Sequence, residues 1–265
     1  MCLICETKDS DDLAGLTTLD CSDCTVLTSI PDTLTRLTTL NCRECTSLTS
    51  IPNTLISLQK LNCSGCNALT SIPETLTSLQ ELDCQYCTAL TLIPDTLTSV
   101  QYLFCANCTA LTSIPDTLTS LRHLYCFGCV ALVSIPDTLT SLQTLSCWGC
   151  TTLTSIPDTL IFLRILFCSD CTALTSIPCI LTSLRYLDCS GCAWLRQGVD
   201  DLQFSENVKK LTVLQRWTRY HLRYWRFRQW VRSEAFARWF YSPDQAGGRI
   251  SKRQIEHHVH TMSRK

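Results

Sequence analysis

The stretch LTTLDCSDCTVLTSIPDTLTR, residues 16–36, is the first copy of a 21-residue unit that continues without insertion or deletion to about residue 195. Two cysteines mark each of nine copies. The first set stands at positions 21, 42, 63, 84, 105, 126, 147, 168 and 189, and the second set follows three residues later, from 24 to 192. A unit of this size cannot bury its apolar side alone, so nine copies in strict register predict a solenoid.

Each copy reads L-x-x-L-x-C-x-x-C-x-x-L-x-x-I-P-x-x-L-x-x. The alternation of Leu19 and Cys21 with Asp20 and Ser22 has the two-residue period of a strand. Stacked copies should therefore pair these strands in one parallel β-sheet. The proline that follows, Pro31 in the first copy, fixes φ and lacks an N–H donor. It predicts an extended or 3₁₀-like return segment on the convex side.

The unit resembles the leucine-rich repeat, whose signature L-x-x-L-x-L-x-x-N/C-x-L places one strand in each turn of a horseshoe. The resemblance covers about residues 16–195 and implies a repeat solenoid with its parallel sheet on the concave side. The I-P-x-x-L segment is similar to the short repeats of bacterial effector proteins. We divide the chain into an N-terminal segment (1–15), nine leucine-rich repeats (16–195) and a basic, aromatic, α-helical C-terminal region (196–265).

The chain has 21 cysteines, all before position 193, and the C-x-x-C pairs match a zinc-site spacing. Zinc modules do not need leucine or isoleucine at five further sites per unit, and stacking would place like cysteines in ladders about 4.8 Å apart. We therefore expect the repeat cysteines to be small buried side chains with a weak donor, and predict no metal and no cofactor. Cys2 and Cys5 lie outside the register, and a small metal site that involves them stays open.

The third, fifth and seventh residues of each copy should face the concave side and carry the binding specificity. They are small or polar in the first four copies and largely aromatic from the fifth onward. The predicted partner-binding residues are Tyr102, Phe104, His123, Tyr125, Phe127, Trp148, Phe167 and Tyr186. Clustered exposed aromatic residues mark interaction sites. Two other interpretations stay open: stabilisation of the sheet by cross-strand pairs, and coverage by the chain's own C-terminal region.

Catalysis is not expected from this sequence. His123 has no carboxylate or nucleophile beside it at the concave positions that would form a recognisable catalytic group. Bacterial effectors with similar repeats can carry a ubiquitin-ligase domain with a catalytic cysteine, but no cysteine follows Cys192. We therefore predict a protein-binding scaffold or adaptor and not an enzyme.

The charge changes sign after Cys192. The first 192 residues hold 7 Lys and Arg against 17 Asp and Glu, whereas the last 73 hold 15 against 6. A helix is predicted from about Ser205 to Arg232, with an apolar face and a basic face. The basic face carries Arg216, Arg219, Arg223 and Arg226. It could cap the last repeat, or bind nucleic acid, a membrane surface or a calmodulin-like partner, and these alternatives stay open.

The C-terminal region also has a Trp- and Arg-rich stretch, Tyr-Ser-Pro and Gly-Gly-Arg. It resembles tails attached to repeat proteins of giant DNA viruses, which implies a viral protein acting in the cytoplasm of a host cell. The first twelve residues show no basic and apolar segments of a secretory signal, and no run of about 18 apolar residues occurs. We expect a reducing, cytoplasmic compartment and no transmembrane segment.

Overall fold

The structure, a computed structural model, describes residues 2–6, 13, 15–178 and 180–193. These residues form one short helix, α1 (Leu3–Glu6), and nine strands of three residues each. The strands are β1 (Thr18–Asp20), β2 (Thr39–Asn41), β3 (Lys60–Asn62), β4 (Glu81–Asp83), β5 (Tyr102–Phe104), β6 (His123–Tyr125), β7 (Thr144–Ser146), β8 (Ile165–Phe167) and β9 (Tyr186–Asp188). The described residues contain no helix with the length and apolar character needed to cross a bilayer.

All nine strands belong to one parallel sheet in which the spatial order is the sequence order, β1 to β9. Each residue pairs with the residue 21 positions later, as Leu19 does with Leu40. The middle residue of every strand is a buried leucine, and its two neighbours point to the other side. This parallel repeat solenoid confirms the fold predicted from the period. We call the outward side of the strands, formed by the third, fifth and seventh residues of each repeat, the sheet face.

The return segments between strands are successive turns. Hydrogen bonds join an N–H to the carbonyl three residues earlier, from Leu37 to Leu34 at 3.1 Å and from Leu48 to Cys45 at 3.0 Å. Within residues 15–178 and 180–193 none of these segments forms an α-helix. The proline of each I-P pair has no N–H to contribute to a longer helical ladder. The prediction of an extended and 3₁₀-like convex side is therefore confirmed.

One continuous core runs through the repeats and is built from the periodic Leu, Ile and Cys positions. Leu34, Leu58 and Leu124 have no exposed surface. Each fully buried leucine contributes about 1.5–3 kcal/mol relative to an exposed one. Each repeat therefore adds a similar stabilising free energy from its buried leucines. Because the leucines of one repeat are covered by the next, no single repeat is stable without its neighbours.

A cysteine ladder links successive repeats inside the core. The thiol of the ninth residue donates to the carbonyl of the sixth residue in the preceding repeat, from Cys45 to Cys21 at 3.0 Å and from Cys87 to Cys63 at 3.0 Å. The same bond recurs through Cys192, which donates to Cys168 at 2.9 Å. The ladder satisfies buried carbonyls that would otherwise lack a donor, as buried polar groups require.

A threonine ladder links the repeats on the convex side. Thr54 donates its hydroxyl to the Asp32 carbonyl at 2.7 Å, and Thr75 donates to the Asn53 carbonyl at 2.6 Å. Equivalent bonds continue through Thr159. One threonine in each of these convex segments, from Thr54 to Thr159, thus has a structural role, because its hydroxyl bonds to the repeat before it.

Five of the nine strands end in a side-chain turn. In these Asx-capped strands (β1 to β4 and β9), the fifth residue is Asp or Asn, and its Oδ1 accepts the backbone N–H two residues later. The five bonds run from Ser22 to Asp20 at 2.9 Å, Arg43 to Asn41 at 3.3 Å, Ser64 to Asn62 at 3.1 Å, Gln85 to Asp83 at 3.2 Å and Ser190 to Asp188 at 3.2 Å. Such Asx turns close the strand locally.

The eighth residue of every repeat has a positive φ, between 55° and 75°. Glycine occupies four of these nine positions and Asp or Asn three more, the residue types that tolerate this conformation best. Gly65 also meets a packing demand, since a Cβ there would lie 2.6 Å from the Glu44 carboxyl carbon. Glu44 and Tyr86 occupy the remaining two eighth positions.

Candidate binding surface

The structure brings the eight predicted partner-binding residues together on one part of the sheet face, which we call the aromatic patch. Tyr102, His123 and Tyr186 occupy third positions, and Phe104, Tyr125 and Phe167 occupy fifth positions. Phe127 and Trp148 occupy seventh positions just beyond their strands. The parallel register explains the assembly, because equivalent positions of neighbouring repeats lie side by side.

The rings of the aromatic patch stack along the solenoid. Ring centroids are 4.8 Å apart for Tyr102 and His123, 4.9 Å for Phe104 and Tyr125, and 4.8 Å for Phe127 and Trp148, with planes within 8° of parallel. Phe167 and Tyr186 are 4.8 Å apart with a tilt of 55°. These separations match the spacing of neighbouring strands, so the strand spacing determines the distance between the rings. Aromatic pairs contribute about 0.5–1.5 kcal/mol beyond burial.

The stacks are interrupted at β7, where the outward residues are small. Thr144 and Ser146 are each only 5% exposed, which places them below the level of the larger side chains on β6 and β8. The register sets Ser146 between Tyr125 and Phe167. The patch is therefore a ring-lined surface with a depression at its centre, and large side chains keep exposed edges, as Tyr102 (40%) and Trp148 (45%) do.

One buried polar atom lies beside the patch. The hydroxyl of Ser169, which follows Trp148 in the seventh-position row, is buried and has no hydrogen-bond partner among the described residues. An unsatisfied buried hydroxyl costs about 1–3 kcal/mol. Folding alone does not explain a serine at this position.

Tyr86 extends the aromatic surface toward β4 and was not predicted from the sequence. It is 50% exposed and has a φ of 59°, a conformation that costs a non-glycine residue about 1–2 kcal/mol. The signal was available in the sequence: Gly, Asp or Asn occupies most eighth positions, and a tyrosine breaks that pattern. A strained, exposed aromatic residue next to an aromatic surface is a candidate binding residue.

A row of positive charge borders the patch at the start of the strands. Arg122, Arg164 and Arg185 occupy second positions, are exposed, and form no ion pair with any carboxylate in the described ranges. Arg122 and Arg164 line a groove of about 280 Å³ together with Ser141, Gln143, Phe162 and Ser183. The arginine row was not among the predicted site residues, although it follows the 21-residue period.

His123 behaves as part of the ring stack. Burial lowers its pKa, and the neighbouring charge of Arg122 lowers it further, so both favour the neutral imidazole. Its ring lies within 2° of parallel to that of Tyr102. His123 therefore acts as a flat ring that stacks on Tyr102.

The sixth-position thiols are poor nucleophiles because they are enclosed and their pKa values are raised. Contact with the Cys87 thiol, together with burial, raises the pKa of Cys63 well above its ordinary value. Among the ninth-position thiols, burial is the largest cause that raises the pKa of Cys45 to about 11. Hydrogen bonds to neighbouring cysteines instead lower the pKa of Cys66, Cys129 and Cys171, which are also enclosed. The sixth- and ninth-position cysteines are thus core residues, as the leucine pattern predicted, and the ninth-position thiols from Cys45 to Cys192 donate to backbone carbonyls.

Three thiols form a separate cluster at the N-terminal end of the repeats. The Sγ atoms of Cys2, Cys5 and Cys24 all lie within 4.8 Å of one another. Cys5 is exposed, and the other two are buried. Hydrogen bonding to the Cys24 thiol, with smaller effects of burial and of Cys2, raises the pKa of Cys5 to about 11.

The predicted basic surface of Arg216, Arg219, Arg223 and Arg226 lies outside the described residues. So does the predicted helix from Ser205 to Arg232. The resemblance of this region to giant-virus tails likewise stays a prediction.

Comparison with known proteins agrees with this architecture. The family model described as Leucine Rich Repeat matches residues 15–37 and 57–79. No curated protein sequence gives a significant match. The leucine-rich-repeat domain of the type III effector XopL is 22% identical, with 70% of this chain and 73% of that chain covered and a TM-score of 0.58. At this identity the likeness shows the fold.

The functional domain of InlJ from Listeria monocytogenes, described as including a cysteine ladder, is 26% identical. The match covers 71% of this chain and 47% of that chain, with a TM-score of 0.51. The periodic core, the one-strand repeats and these matches lead to one conclusion: the repeats of this chain have the leucine-rich-repeat fold.

Proposed function

We propose that this chain is a protein-interaction scaffold that binds a partner protein through the aromatic patch. The observation that carries the proposal is the set of stacked, partly exposed rings confined to one part of an otherwise polar sheet face. Tyrosine, tryptophan and arginine are the residues most enriched among the energetic anchors of protein interfaces. Leucine-rich-repeat proteins are typically binding scaffolds, and we propose no catalytic role for this one.

The chemistry of the surface specifies the partner. The arginine row favours Asp or Glu, because guanidinium groups bind carboxylates in a bidentate geometry. The exposed ring edges of Tyr102 and Trp148 favour an apolar or aromatic side chain of the partner. We therefore propose a partner segment that combines an aromatic anchor with neighbouring acidic residues.

Charge does not decide between an external partner and coverage by the chain's own C-terminal region. That region carries 15 Lys and Arg against 6 Asp and Glu over its 73 residues. Arg122, Arg164 and Arg185 would repel it locally, whereas residues 1–192 as a whole are acidic, with 7 Lys and Arg against 17 Asp and Glu. The alternative function through Arg216, Arg219, Arg223 and Arg226 stays a prediction, and no described residue favours it.

The experiment is a selection from a random peptide display library against the full chain. Selected peptides should contain an aromatic or large apolar residue next to Asp or Glu. They should bind the double variant Phe127→Ser, Trp148→Ser at least about tenfold more weakly, a loss of 1.4 kcal/mol.

The matched control carries two exposed changes on the polar part of the same face, Thr18→Ser and Lys60→Ser, and should bind as the wild-type chain does. Equal binding of the selected peptides to all three proteins would contradict the proposal. If the Phe127 and Trp148 variant lost its fold or solubility, the patch would be an internal contact and the proposal would also fail.

A further inference from the structure

The strongest observation that the binding function leaves unexplained is the thiol cluster of Cys2, Cys5 and Cys24. The structure describes 20 free cysteines, and 18 of them belong to the repeats. Within the described residues this is the one place where three metal-ligating side chains converge. The C-x-x-C pairs of the repeats do not converge in this way, since their thiols bind carbonyls in the ladder.

The place of Cys24 in the ladder explains why its thiol differs from the others. Every later ninth-position thiol donates to a carbonyl in the repeat before it, as Cys45 does to Cys21. Cys24 belongs to the first of the nine repeats and has no such sixth-position carbonyl. Its Sγ lies instead 3.5 Å from the Sγ of Cys5. The end of the ladder thus supplies one sulfur ligand to the N-terminal segment.

The local fold of the N-terminal segment supplies the other two ligands. The Cys5 N–H donates to the Cys2 carbonyl at 2.9 Å, which closes one turn and sets the two thiols side by side. Their Sγ atoms are 3.7 Å apart. Zinc–sulfur bonds of about 2.3 Å in a tetrahedral site place neighbouring sulfur atoms about 3.8 Å apart. Both sulfur separations lie within 0.3 Å of that spacing.

We propose that Cys2, Cys5 and Cys24 bind one zinc ion as thiolates. Three thiolates occupy three tetrahedral positions and leave the fourth for water or another ligand. The exposed Cys5 provides the entry path, and each thiol releases a proton to solvent as its sulfur bonds to the metal. The ion would fasten the N-terminal segment to the first repeat and close the end of the core there. This role is separate from partner binding by the aromatic patch, more than three repeats away in sequence.

The test uses the full chain, reduced and freed of metal, equilibrated with Zn²⁺ alone and then desalted. Elemental analysis should find one zinc per chain. Replacement of Zn²⁺ by Cd²⁺ should give a thiolate-to-metal absorption band that saturates at one equivalent. Cys5→Ser changes an exposed side chain and should keep the circular dichroism of the wild type, yet reduce metal affinity at least about tenfold.

The matched control is Cys45→Ser, the equivalent of Cys24 in the second repeat. Its hydroxyl can still donate to the Cys21 carbonyl, and it should retain one zinc per chain. Absence of stoichiometric zinc in the wild type, or an unchanged affinity in Cys5→Ser, would overturn the proposal. A disulfide within the cluster, found by mass spectrometry of protein isolated with its thiols blocked, would overturn it as well.

Discussion

The Asx-capped strands and the four strands between them share one backbone but end differently. At the fifth position, β1 to β4 and β9 carry an Asp or Asn that closes the strand with a side-chain turn, whereas β5 to β8 carry Phe104, Tyr125, Ser146 and Phe167. A phenyl ring has no acceptor for the N–H that an Asx side chain binds.

The difference at the fifth position shows that β5 to β8 lack the Asx turn by which the other strands end. An Asx turn stabilises a repeat on its own, since an intramolecular hydrogen bond contributes about 0.5–1.5 kcal/mol. Rings at the same position stabilise only through stacking on neighbours and leave apolar edges in water. A strained Tyr86 and an unsatisfied Ser169 hydroxyl lie beside the same strands. Such local departures from a consistent scaffold are expected at functional sites.

The largest expected effect is on stability, and it tests whether the Asx-capped strands and β5 to β8 share one core. Leu40→Ala in β2 and Leu124→Ala in β6 should each lower the free energy of unfolding by about 2–5 kcal/mol, because both remove a fully enclosed side chain. Urea unfolding followed by circular dichroism measures both. A loss in only one of the two variants would mean that the regions do not share one cooperative core.

The second prediction concerns a substitution that replaces a ring at the fifth position by an Asx side chain. Phe104→Asn should recreate an Asx turn by accepting the N–H of Ala106, so its unfolding free energy should exceed that of Phe104→Ala by about 0.5–1.5 kcal/mol. Both variants should bind the selected peptides at least about tenfold more weakly, since both lose the ring stacked on Tyr125. Calorimetry measures the peptide binding, and urea unfolding measures the free energy of unfolding. Equal stability of the two variants would show that the fifth position does not control the turn.

A smaller effect concerns backbone strain at the border between the regions. Tyr86→Gly should raise the unfolding free energy by about 0.5–1 kcal/mol, because glycine removes a left-handed penalty that exceeds its own entropic cost. Tyr86→Ala keeps the Cβ and should show no such gain. Peptide binding should weaken in both variants. If Tyr86→Gly is less stable than the wild type, the tyrosine ring stabilises the fold and is not a binding residue.

The smallest effect depends on pH. Asp83 pairs in register with Phe104, and burial raises its pKa despite the hydrogen bonds from Gln85 that act in the opposite direction. Below pH 3.8, the ordinary carboxyl pKa, Asp83 is protonated in both the folded and the unfolded state. Above its raised folded-state pKa, the folded protein carries a poorly solvated charge on Asp83, which lowers the free energy of unfolding. Asp83→Asn keeps the Oδ1 acceptor. It should therefore match the wild type in urea unfolding at pH 3 and be more stable at pH 7; the reverse order would contradict this assignment.

Much of the fold and most of the aromatic patch could be predicted because they follow from a period. The 21-residue repeat fixes the strand register, and alternation decides which residues face out, so Tyr102 and His123 had to lie side by side. The prolines predicted the absence of helices from the described return segments. Outward direction alone did not reveal the depression at Ser146, since its depth depends on the size of the neighbouring side chains.

Other features were missed because they depend on local geometry. The positive φ at the eighth position comes from the turn that follows each strand, and only a comparison across all nine copies exposes Tyr86 as the exception. The convergence of Cys5 on Cys24 depends on the path of a non-repetitive segment, for which the period gives no information. The arginine row was not predicted although its spacing is regular, because the second residue precedes the strand positions to which the alternation applies.

The unbroken register has a consequence for how such a protein changes over evolutionary time. The bonds of the cysteine and threonine ladders join each unit to the unit before it, so a tandem duplication or loss of 21 codons leaves each remaining unit with an equivalent neighbour. Recombination between near-identical units can therefore lengthen or shorten the array without a new folding problem. The aromatic units can be copied, shifted or erased as modules, which makes the recognition surface easier to alter by inheritance than the scaffold that presents it.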